Sequence, residues 1–91
     1  MDIKILLERI KKLDVSFPEP HTNLEKDILG IHEAATKLWQ VLKKNDKELM
    51  EKKCANLFIG AFILAKDLEI NDLEEVFMKR LTELEKEFIN P

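Results

Sequence analysis

Residues 22–68, TNLEKDILGIHEAATKLWQVLKKNDKELMEKKCANLFIGAFILAKDL, decide the fold. In the first half Leu24, Ile28, Ile31, Ala35, Leu38 and Leu42 recur at steps of four and three, which places them on one face of an α-helix. Thr22, with Glu25 three residues on, reads as a capping box that opens this helix. Lys43, Lys44 and Asn45 suit its C-terminal end, where the helix dipole is negative. Asp46 offers an oxygen to cap the next helix almost at once. A link this short makes the two helices antiparallel neighbours. The second helix is expected to run to about Leu68, and it carries no charge from Cys54 to Ala65. A helix apolar on all sides is buried on all sides. One small chain barely supplies that cover, so a second subunit is expected to complete it.

The flanks follow the same periodicity. Ile3, Leu6, Leu7, Ile10 and Leu13 line one face of a short helix over residues 2–13, with Asp2 as its cap. A loop over 14–22 follows. It holds Pro18 and Pro20, which remove backbone donors and disfavour helix at the preceding residue, and Phe17 is expected to pin it to the core. Past Leu68, Asn71 and Glu74 form another capping box, and Leu73, Val76, Phe77, Leu81, Leu84 and Phe88 form the stripe of a last helix. No segment alternates with the period of two that marks a strand. The expected fold is all-α: one domain over 1–91 with its helical core at 23–88. It is a four-helix bundle built on an antiparallel hairpin of about 30 Å at roughly 1.5 Å per residue, completed by oligomerisation to a dimer or tetramer.

Composition narrows the function without naming it. Leu, Ile, Val and Phe make up 31 of the 91 residues, enough for a core. A chain of this length still buries only about 60–65% of its unfolded surface, which favours association. Fifteen Lys and Arg against 18 Asp and Glu give a net charge of −3. Interspersed charge of this kind argues against DNA or RNA as a partner, since those call for a basic stripe facing phosphates. Cys54 is the single cysteine, so no internal disulfide forms, and a reducing, cytoplasmic location is expected. The opening MDIKILLERIKK breaks its apolar residues with charge, unlike a signal peptide. The longest uncharged run, Cys54–Ala65, is far shorter than the roughly 20 residues a membrane span needs. His32-Glu33 begins a zinc-protease motif, but Thr36 stands where the second histidine belongs.

From about Leu29 to Phe88 the layout resembles the MazG-like, all-α nucleoside triphosphate pyrophosphatase superfamily. The likeness rests on Ala61–Phe88, AFILAKDLEINDLEEVFMKRLTELEKEF, an apolar helix, a short turn and a Leu-Glu-Glu opening to a charged helix. Glu69 stands where that family has glycine, and Lys43-Lys44-Asn45-Asp46 stands at its Lys-Gly-Asp turn. The resemblance implies hydrolysis by carboxylates written EExxE on one helix and EExxD on the next. Those acids hold Mg²⁺, a hard ion that takes oxygen ligands and bridges to polyphosphate. Aligned on Asp46, the first motif falls at Glu33, Ala34 and Lys37, and the second at Lys52, Lys53 and Asn56. Glu33 is the one acid left among six positions, beside three lysines whose field repels a divalent cation.

The resemblance therefore implies a pyrophosphatase scaffold without its metal site, a non-hydrolytic nucleotide-binding or oligomeric scaffold protein. Lys37, Lys52, Lys53 and Asn56 are its candidate phosphate contacts, each weighed against an ordinary solvated helix face. Glu33 is the residual candidate metal ligand. The family's C-terminal Lys and Asn find no counterpart around Leu84–Phe88. An active pyrophosphohydrolase with a divergent Mg²⁺ site at Glu33, Glu48 and Glu51 is the alternative, and an unrelated helical interaction module the third reading. Trp39, Leu57, Gly60, Ala61 and Leu64 are the candidate oligomer interface. Trp39 flanks the seam, and Gly60 with the small Ala61 permits close helix approach. Cys54 lacks a neighbour that would activate it and reads as a core residue.

Overall fold

The computed structural model describes residues 2–16 and 23–91. They form α1 (Ile3–Ser16), α2 (Leu24–Leu42), α3 (Lys47–Asp67) and α4 (Leu73–Phe88), with no strand among the described residues. The fold is all-α. Each helix opens on an acceptor side chain that satisfies a backbone N–H left orphaned in its first turn. Asp2 accepts from the Lys4 amide at 2.9 Å and Asp46 from Leu49 at 3.1 Å, as expected. Two caps lie one residue later than the capping-box pattern places them. Asn23 accepts from Glu25 at 2.8 Å, and Asp72 accepts from Glu75 at 3.0 Å. The expected positions of Phe17, Pro18, Pro20 and Thr22 lie outside the described residues.

α3 ends in a complete Schellman motif. The Ile70 amide donates to the Ala65 carbonyl at 3.2 Å, and Glu69 donates to Lys66 at 2.9 Å. That closure needs a left-handed residue, and Glu69 supplies it with φ of 58°. In the link after α2, Asn45 also adopts the left-handed region at φ 52°, and asparagine is the type that tolerates it best after glycine. Glu69→Gly therefore stabilises the protein by about 1 kcal/mol, because the Cβ penalty vanishes while the turn remains. Urea titration reads this as a higher midpoint at unchanged slope. An unchanged or lowered midpoint refutes the account.

Packing centres on α3, which packs against α2 most extensively and against α1 less so. The covered line of α2 is Asp27, Ile31, Ala34, Leu38 and Val41. This corrects the expected seam, of which Ile31 and Leu38 alone are covered; Leu24, Ile28, Ala35 and Leu42 face solvent. Two apolar stripes lie side by side on α2, and α3 takes the one with the smaller Ala34 at its centre. There the Ile31 side chain packs against Gly60, since a methyl placed on Gly60 would lie 3.4 Å from Ile31 Cγ1. α1 continues past its expected end because Asp14 extends the covered line of Ile3, Leu7 and Ile10. α3 is not covered all round: Ala55, Asn56, Phe58 and Ala61 remain exposed. Leu73 is the one buried residue of α4. No helix among the described residues is long and apolar enough to cross a membrane.

Candidate functional site

α1, α2 and α3 enclose a groove of about 270 Å³ lined by Leu13, Asp27, Gly30, Asn56, Ile59, Gly60 and Ile63. Its walls are apolar, and the Asp27 carboxylate and the Asn56 amide are its polar groups. Asp27 lies in the first turn of α2, where the positive end of the helix dipole favours a carboxylate, and it is almost wholly buried. The glycines leave room: a methyl at Gly30 would meet nothing within 4 Å. Of the candidate phosphate contacts, Asn56 lines this groove. Asp27 did not emerge from the sequence, because its place on the covered line shows only once the α2 stripe is rotated from the Leu24 series to the Ile31–Ala34–Leu38 series.

The lysines stand apart from this groove. Lys37 and Lys52 are exposed and Lys53 is half-buried, while Glu33 is exposed on α2. The Glu33–Lys37 ion pair that their spacing permits is not formed. Among the described residues no three His, Cys, Asp or Glu side chains gather closely enough to hold a metal ion, and this includes Glu33, Glu48 and Glu51. One carboxylate among three ammonium groups does not fit Mg²⁺, which takes several oxygen donors. Of the candidate interface, Trp39 and Ala61 are exposed, and Leu57, Gly60 and Leu64 are half-buried. The Lys43 ammonium sits 4.9 Å from the centroid of the Trp39 ring, a cation–π contact one helical turn apart.

A second charged cluster escaped the sequence reading. Lys66 of α3 donates to Asp14 of α1 and pairs with Asp67 at 3.2 Å. Asp14 is 2% exposed, and its other carboxylate oxygen has no hydrogen-bond partner among the described residues. The bond to Asp14 raises the Lys66 pKa above its ordinary value of 10.5, against the opposing effect of burial. The available signal was that Asp14 falls four residues after Ile10, on the apolar face.

Compared with known protein families, with curated proteins and with solved structures, the chain matches none.

Proposed function

We propose that the chain is a MazG-like helical protein without the family's metal-dependent hydrolysis, a nucleotide-binding or oligomeric scaffold. The observation that carries this is the donor set at the motif positions: Glu33, Ala34 and Lys37 on α2 against Lys52, Lys53 and Asn56 on α3. The turn at Glu69 supports the resemblance, since its φ of 58° is the conformation for which the family's glycine is suited. Two facts support an antiparallel α2–α3 hairpin. The connection is four residues long, and Ile31 meets Gly60 at nearly equal distances from it along the chain. In this reading Lys37, Lys52 and Lys53 act on phosphate as point charges, and the exposed apolar residues serve association with further copies of the chain.

Isothermal titration with nucleoside triphosphates, with and without Mn²⁺, tests the proposal, and pyrophosphate release is assayed alongside. The expected result is binding that does not need metal and weakens about tenfold in Lys52→Ala, as fits the loss of one charge–phosphate contact, with no pyrophosphate formed. Silence with every nucleotide leaves the scaffold role alone. Saturable Mn²⁺ binding lost in Glu33→Gln, together with pyrophosphate release, would instead establish the divergent enzyme.

A further inference from the structure

Among the described residues the buried charged side chains are Asp14 and Asp27. Lys66 engages the first. The second, 4% exposed, lines the groove between α1, α2 and α3, and the nucleotide reading makes no use of it. Its place in the first turn of α2 favours the ionised form, because the positive end of the helix dipole lies there. Asp27 already has an interaction of its own. A carboxylate carries about four acceptor sites on its two oxygens, so it takes a further donor beside that one.

The rest of the groove suits an apolar body. Leu13, Ile59 and Ile63 supply its walls, and the two glycines keep side chains out of it. At Gly30 a methyl would meet nothing within 4 Å. Asn56, exposed on α3, adds a second polar group to the lining. A cavity of about 150 Å³ holds benzene, so the volume of about 270 Å³ here admits a ring with a short side chain. Apolar walls with a few placed polar groups are the usual make-up of a small-molecule site.

We propose that this groove binds a small primary amine with an aromatic or branched apolar body, its ammonium on Asp27 and its body against Leu13, Ile59 and Ile63. Charge complementarity selects the ligand class. A hydrogen bond between ammonium and carboxylate is about twice as strong as a neutral one, and apolar surroundings strengthen it further. The Asn56 amide oxygen offers a second acceptor to the same ammonium. The Asp27 charge repels phosphate and carboxylate ligands, so the site is separate from the nucleotide contacts at the lysines and does not rest on them.

Titration of the full chain with phenethylamine at neutral pH, followed through the backbone amide NMR signals of Gly30 and Gly60, is the test. Phenethyl alcohol serves as the neutral isostere and hydrocinnamate as the anion. The expected result is saturable binding of the amine, at least about tenfold tighter than the alcohol, with no binding of the anion. Asp27→Asn should bring the amine and the alcohol within about twofold of each other, since the charge is gone and the shape is kept. Gly30→Leu places a side chain at the groove and should weaken the amine at least about tenfold. Leucine favours a helix over glycine, so this variant keeps its fold. No saturable binding of the amine up to about 10 mM overturns the proposal. So does an alcohol that binds as tightly, or an amine affinity unchanged in either variant. The wild-type comparison of amine with alcohol decides the matter even if Asp27→Asn fails to fold. Nucleotide titration reads the lysines instead, so either result can fail alone.

Discussion

Replacing Lys66 by Met lowers the stability of the fold by about 3 kcal/mol, because a carboxylate that is 3% exposed in its side chain loses its cation. The figure is the low end for a buried pair, since the Lys66 side chain is itself 24% exposed. Met keeps most of the aliphatic stem, so the loss reports charge rather than volume. Combining it with Asp14→Leu should return stability to within about 1 kcal/mol of the wild type, since apolar replacement of both partners costs little. Urea unfolding of the four proteins in the cycle measures the coupling directly. Additive losses would show that the pair contributes nothing specific to holding α1 on α3. The pH dependence has a fixed sign. Lys66 titrates above 10.5 in the folded protein, so its contribution is complete below that value. It disappears as the pH climbs through the raised folded-state pKa. Lys66→Met should lack this alkaline component.

Ile63→Ala should cost between about 2 and 5 kcal/mol, the range for truncating an enclosed aliphatic side chain. Ile63 is 6% exposed and faces the groove between α1 and α2, so three helices lose contacts at once. Ile5→Ala removes the same atoms from a position that is 60% exposed and should stay within about 0.5 kcal/mol of the wild type. Thermal or urea unfolding of the two variants separates these cases. Equal effects would mean that the groove wall is no part of the core.

The helices were legible because their signals are local. Apolar spacing and the oxygens of Asp2 and Asp46 act within one turn, so they can be read without knowing what packs where. The rotation of α2 was not legible for a reason that Asp27 makes plain. Leu24, Ile28, Ala35 and Leu42 are more hydrophobic than the line containing Asp27 and Ala34, yet the latter faces α3. Hydrophobicity selects which surfaces leave water; it does not select between cover within the chain and cover by another molecule. Small residues and close approach settled that choice at Ile31 and Gly60. The candidate site divides along the same line. Asn56 was readable as a polar residue inside an uncharged run, whereas Asp27 and the Asp14–Lys66 pair depend on contacts between helices. Such contacts leave little trace in spacing.

The reach of the Asp14–Lys66 bond has a kinetic consequence. Its partners lie 52 residues apart in sequence, whereas the caps and turns that shape α2, α3 and α4 close over a few residues each. Closing the longer loop costs more chain entropy and rewards it later. The docking of α1 is therefore expected after the rate-limiting barrier to folding. A substitution there should leave the refolding rate nearly unchanged and speed unfolding by about a hundredfold for a loss of 3 kcal/mol. The length of time the native molecule survives before opening then depends on this ion pair, while the speed at which it first assembles does not.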